Sequence, residues 1–102
     1  MNIKHNLKNS GLYIYFDGEL DECHANLVRD KIDSIIEKNP SVTSVVFNMR
    51  NLTFMDSTGI GILIGRYKKL KKLHIPVYVE NPSFSVDKIF TLSGIYNLIP
   101  KI

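Results

Sequence analysis

The sequence predicts an α/β fold: a single domain with a mixed β-sheet of four to five strands and about three helices packed on it. Three observations carry that reading. Residues 12–16 and 42–48 are runs of β-branched and aromatic residues of strand length. Two longer stretches, from Asp21 to about Lys38 and from Asp56 to about Leu73, repeat apolar residues at helical spacing. These types alternate along the chain as β-β-α-β-α-β-α, with a possible eighth element, an order that calls for helices crossing between strands of one sheet.

Each element has its own local grounds. Gly11, behind Asn9-Ser10, marks a turn from a first strand near residues 3–7 into the aromatic run, so the two form a hairpin at a sheet edge. Asp21 is a cap for the first helix, whose Ala25, Val28, Ile32, Ile35 and Ile36 share one face; Asn39-Pro40 ends it. The Val-rich run 42–48 is the central strand. Asp56-Ser57 caps the second helix, with Ile60, Leu63, Ile64, Tyr67 and Leu70 as its buried stripe. Residues 77–79 form a short strand. A third helix runs from Ser83 to Ser93 with Gly94 as its stop, and residues 96–99 are expected to add a last strand.

At 102 residues, 44% hydrophobic and 23% charged, the chain suits one folded domain, residues 1–102, rather than a disordered segment. Its one cysteine, Cys23, excludes an intrachain disulfide and a multi-cysteine metal site, and fits a reducing compartment. No apolar run approaches the ~20 residues that cross a bilayer, and residues 1–10 do not read as a signal peptide. The expected address is the cytoplasm, away from the membrane. Charge is uneven: residues 1–56 hold 6 Lys/Arg against 8 Asp/Glu, and residues 57–102 hold 7 against 2. Most of the basic excess is one stretch, residues 66–72. Arg66, Lys69 and Lys72 fall at i, i+3, i+6 there, but no surface aromatic is interleaved. A solvated helix face explains it better than nucleic-acid binding.

The informative segment is Phe54-Met55-Asp56-Ser57-Thr58-Gly59-Ile60-Gly61, where a strand gives way to a helix. Gly59, Gly61 and Gly65 do not make a phosphate-cradling loop: the spacing is Gly-x-Gly-x-x-x-Gly, and no Lys-Ser/Thr follows a glycine. Close helix–sheet packing is the simpler reason for them. Asp56-Ser57-Thr58-Gly59 also misses the Asp-Ser/Thr-Gly triplet of aspartic proteases by one residue, and the strong helices do not suit that all-β fold. Cys23 and His24 are neighbours on a helix, pointing about 100° apart, so they make no catalytic pair. His5, His24 and His74 show no metal-ligand spacing, and neither a metal nor a cofactor is expected. Ser57 remains. A phosphate on it would add ~1.5–2 negative charges at a helix start, which tolerates them by roughly 0.3–1 kcal/mol. Such a modification would act at an interface rather than by unfolding.

The same segment, continued by Ile62-Leu63-Ile64-Gly65-Arg66-Tyr67-Lys68, resembles the anti-sigma factor antagonists, which share the STAS fold. Gly18-Glu19-Leu20-Asp21 and Phe90-Thr91-Leu92-Ser93-Gly94-Ile95 resemble the same family in register. The Gly-Arg-Tyr-Lys continuation is most similar to its stage II sporulation AA branch. The resemblance implies an anti-anti-sigma factor that is not an enzyme. Its unphosphorylated form binds an anti-sigma factor that is also a serine protein kinase, and so releases the sigma factor. Phosphorylation of Ser57 switches it off, and a protein serine phosphatase resets it. Asp21, Asp56, Ser57, Thr58, Gly59 and Gly61 form the implied partner-binding set. Thr58 stands where sporulation proteins often carry a second serine and general-stress relatives commonly carry threonine. The alternatives are a general-stress or transporter-associated STAS module with another partner, or a weak nucleotide-binding activity.

Overall fold

Asn9 and Ser10 both take left-handed backbone, with φ of 51° and 69°. That makes the two-residue turn whose twist suits a hairpin. It joins β1 (Asn2–Lys8) to an antiparallel β2 (Gly11–Leu20), with Leu7 opposite Leu12 and Ile3 opposite Phe16. The structure is a computed structural model that describes residues 1–102. Beyond the hairpin come α1 (Ala25–Glu37), β3 (Ser44–Met55), α2 (Ser57–Lys72), β4 (Val77–Glu80), α3 (Phe84–Ser93) and a 3-10 turn at Ile95–Asn97. The sheet order is β1-β2-β3-β4, with β2, β3 and β4 parallel and β1 antiparallel at the edge.

Alternation within the strands decides what the sheet covers. Leu12, Ile14 and Phe16 of β2, Val45, Phe47 and Met49 of β3, and Val77 and Val79 of β4 point into one core. Val28, Ile32 and Ile35 of α1, Leu63 and Leu70 of α2, and Val86 and Phe90 of α3 complete it. All three helices therefore lie over one sheet face: α1 and α2 as right-handed crossovers running the same way along the sheet require, and α3 through Val86 and Phe90 in the same core. On the other face Tyr13, Val46 and Tyr78 stand in one row, and Tyr15, Asn48 and Glu80 in the next. Asn48 Nδ2 donates to Glu80 Oε2 at 2.9 Å there.

The predicted helical stripes hold, with Ile36, Ile60, Ile64 and Tyr67 only partly buried. Ser83 Oγ accepts from the Val86 N–H at 3.3 Å, and Gly94 ends α3 with φ 77°. Four expectations need correction. The first helix begins at Ala25, not at Asp21, which instead closes a separate turn over residues 21–24. Both parallel strands outrun their apolar cores: β2 continues to Leu20 and β3 to Met55, kept in pairing through register shifts beside Asp17 and Gly18, whose φ is 117°. The expected strand at 96–99 is absent. Ile95 and Ile99 are both buried four residues apart, a helical spacing, and Ile99 N–H donates to Ile95 C=O at 2.8 Å. The chain touches β4 only through a bridge between Val79 and Lys101, which leaves a four-stranded sheet. Lastly, Arg66 is not on a solvated face: it is buried against Asp33 of α1, with Nε 2.9 Å from Oδ1, while Lys69 Nζ lies 3.0 Å from Oδ2.

Candidate functional site

The carboxyl ends of β2 and β3 are tied together by one acid. Asp56 leaves β3 with extended backbone, and its Oδ1 accepts from the Gly59 N–H at 3.0 Å, so it is the N-cap of α2. Its Oδ2 accepts from the backbone N–H of Glu22, 34 residues away in sequence, at 3.2 Å. Its own N–H donates to the Leu20 carbonyl at 3.4 Å. The sequence suggested a cap shared by Asp56 and Ser57; Asp56 does it alone. Ser57 is the first residue of α2, exposed, with a hydroxyl the helix does not use. Thr58 beside it is exposed as well.

Gly59 is fixed by close approach. A Cβ there would stand 2.7 Å from the Leu20 carbonyl oxygen, 2.9 Å from Leu20 Cγ and 3.0 Å from Met55 Cγ. The first turn of α2 therefore rests on the end of β2. The packing explanation does not extend to Gly61 or Gly65, where a Cβ would meet nothing within 4 Å. Gly61 is exposed one turn along from Ser57.

Asp21 follows directly on Leu20, which pairs with Met55 at the paired strand ends. Its Oδ1 accepts from the His24 backbone N–H at 3.1 Å and lies 2.8 Å from His24 Nδ1. Desolvation pushes its carboxyl up, but the His24 hydrogen bonds and charge outweigh that and hold it below the usual carboxylate range. The structure thus gathers Asp21, Asp56, Ser57, Thr58 and Gly59 at one end of the sheet, with Gly61 on the adjoining helix face. Two participants escaped the sequence reading: His24, and the backbone N–H of Glu22. The first had a signal in the Asp-x-x-His spacing of 21–24; the second, a main-chain contact across 34 residues, had none.

This end of the molecule is acidic. Residues 17–28 and 51–65 hold five acids (Asp17, Glu19, Asp21, Glu22, Asp56) and no lysine or arginine. The Asp56 carboxylate also occupies the helix N-terminus that a nucleotide-phosphate loop would leave open. No three His, Cys, Asp or Glu side chains stand together as a metal site, and no helix is long and apolar enough to cross a membrane.

A family model described as the STAS domain matches residues 2–102. The chain belongs to the STAS domain family. Among relatives, this STAS domain is 36% identical over 78 residues to the anti-sigma F factor antagonist of Lysinibacillus sphaericus, covering 76% of this chain and 66% of that protein. It is 27% identical over 101 residues to the anti-sigma-B factor antagonist of Bacillus subtilis (strain 168), covering 97% of this chain and 90% of that protein. Among solved structures, the anti-sigma factor antagonist SpoIIAA in its unphosphorylated form superposes with a TM-score of 0.80 at 29% identity, over 99% of this chain and 88% of that one. The phosphorylated form of Bacillus SpoIIAA superposes at 0.71 with 28% identity, over 99% and 91%.

Proposed function

We propose that this STAS domain is an anti-anti-sigma factor whose docking surface is the acidic end of the sheet and whose switch is Ser57. The observation that carries the reading is the division of labour at the start of α2. Asp56 satisfies the helix N-terminus, so the Ser57 hydroxyl stands exposed with no structural task. A residue so placed accepts a phosphate without unfolding the helix, since a charge there shifts helix stability by only roughly 0.3–1 kcal/mol. It cannot do so without changing the surface a partner sees, because ~1.5–2 charges and a bulky group are added. The likeness to SpoIIAA in both phosphorylation states supports the same conclusion.

In this reading the unmodified chain binds an anti-sigma factor and so frees a sigma factor. The bound protein is also the serine kinase that modifies Ser57, and a separate phosphatase restores the hydroxyl. Asp21 presents its carboxylate to a basic partner surface, Asp56 and Gly59 fix the first turn of α2 that displays Ser57 and Thr58, and Gly61 keeps the neighbouring helix face low. The chain itself catalyses nothing, takes no cofactor and works in the cytoplasm.

The test is incubation with the anti-sigma factor of the same organism and ATP, followed by mass spectrometry. One phosphate on Ser57 is expected, none on Ser57→Ala, and Ser57→Ala should still bind the partner. Phosphate on Thr58 or elsewhere, with Ser57 unmodified, contradicts the assignment. Because the chain is also similar along nearly its whole length to an anti-sigma-B factor antagonist, sporulation-type and general-stress-type partners both belong in the assay.

A further inference from the structure

A shallow groove of about 260 Å³ opens beside the docking loop, between the start of β1 and the first turn of α1. Met1, Ile3, Leu27 and Val28 supply apolar surface, with His24 and Lys31 beside them. Leu27 is 74% exposed, although it sits on a helix whose neighbouring apolar positions Ala25, Val28 and Ile32 are buried. The groove is continuous with the candidate site by covalent and hydrogen-bonded links. His24 lines it and is held at 2.8 Å by Asp21, and the loop between them is tied to Asp56 through the Glu22 N–H. Met1 forms its other wall and packs beside Gly18, in the strand end that carries Glu19. On the Ser57 side the groove has an acidic rim in Asp21, which holds the lining residue His24; on the far side stands Lys31.

We infer that this groove is part of the docking footprint and takes an apolar side chain of the anti-sigma partner, with a basic residue next to it that meets the acidic rim. The inference rests on the proposed function, whose surface it extends from the Ser57 loop onto α1. A concave apolar slot with an exposed leucine at its lip receives a side chain from a protein surface. The acidic rim then sets which way round that surface docks. Ser57 does not line the groove, so groove contacts alone do not account for a switch at Ser57.

The experiment compares four proteins in a titration with the purified anti-sigma factor: the parent, Leu27→Glu, Leu92→Glu and Ser57→Asp. Leu27 is the third residue of α1, where a glutamate suits the helix start, so the variant should fold; circular dichroism checks this. Leu92 is equally exposed, at 78%, but lies on α3 away from the groove. Leu27→Glu is expected to bind at least tenfold more weakly, and Leu92→Glu within twofold of the parent. If Ser57→Asp loses binding while Leu27→Glu matches the parent, the groove is not in the footprint, though the docking reading stands. Equal weakening by Leu27→Glu and Leu92→Glu also overturns the groove. If Ser57→Asp binds as tightly as the parent, the Ser57 switch itself is wrong, whatever Leu27→Glu does.

Discussion

Gly59 and Gly61 are two residues apart and are glycines for opposite reasons. At Gly59 an added methyl meets a backbone oxygen at 2.7 Å, and neither α2 nor the end of β2 can yield without breaking the Asp56 cap. Gly59→Ala is therefore expected to destabilise the fold by roughly 1–3 kcal/mol, as overpacking does, and to disturb the first turn of α2 that carries Ser57. At Gly61 the same methyl meets nothing. A glycine inside a helix costs about 0.5–1 kcal/mol relative to alanine, so Gly61→Ala should raise the urea midpoint. If a partner lies flat on this turn, the same change weakens its binding. Urea unfolding of both variants, with a binding titration of the second, checks the pair. A Gly61→Ala protein that gains stability and binds like the parent would remove Gly61 from the docking surface. The sequence made both glycines visible and could not tell them apart. The distinction lies in how near the Leu20 carbonyl comes, and that depends on a strand 39 residues earlier.

At the scale of elements, what was legible was what is local. Helix periodicity, the Asn9-Ser10 turn, the start of α2 at Asp56-Ser57 and the Gly94 stop each depend on nearby residues, and each is where the sequence placed it. The Asp21 cap failed locally, because the chain closes a separate turn over residues 21–24 before α1 begins at Ala25; the other failures depended on distant partners. The ends of β2 and β3 extend because they pair with each other, and residues 95–99 coil because two isoleucines bury at helical spacing. Arg66 carries the clearest case. Read alone it belongs to a basic run, yet it joins α2 to α1. Its side chain is 7% exposed, and Nε lies 2.9 Å from Asp33 Oδ1. The angle is too poor for a hydrogen bond, however, and Nη1 has no protein partner. The ion pair is thus what offsets burial of the guanidinium. Removing its partner should cost more than the pair itself contributes: on the order of 3 kcal/mol for Asp33→Ala. Replacing both ends with apolar residues, as in Asp33→Leu with Arg66→Met, should cost much less, because no charge is left uncompensated. Chemical denaturation of the single and double variants decides it. Equal losses in the two would show that Asp33 matters for packing rather than for charge.

Two aspartates in different parts of the chain, Asp21 and Asp87, bear on how the stability of the whole molecule responds to pH. At the carboxyl end of β2, desolvation raises the Asp21 carboxyl, but His24 more than reverses it. At the far end of the chain Asp87 accepts from the Tyr96 hydroxyl, at 2.5 Å, and from Lys101 Nζ, at 3.0 Å, which together lower its carboxyl. That cluster fastens the 3-10 turn and the Val79–Lys101 bridge to α3. Both aspartates sit below their ordinary 3.8 when folded. Their stabilisation is present above that value and is lost as pH falls through the lowered folded values. Tyr96 goes the other way: desolvation and then the Asp87 hydrogen bond and charge raise its hydroxyl above the ordinary 10.0. Its stabilisation is complete below pH 10 and is lost as pH climbs towards the raised value. The urea midpoint should therefore fall on the acid side of about pH 4 and again on the alkaline side of about pH 10. Tyr96→Phe separates the two limbs. It should shrink the alkaline fall, since no hydroxyl remains to ionise beside Asp87, and weaken the acid fall only in part, since Asp21 and the Lys101 contact are untouched. An alkaline limb as steep in Tyr96→Phe as in the parent would mean that other tyrosines or lysines govern it and that the Asp87–Tyr96 bond contributes little to holding the C-terminal segment.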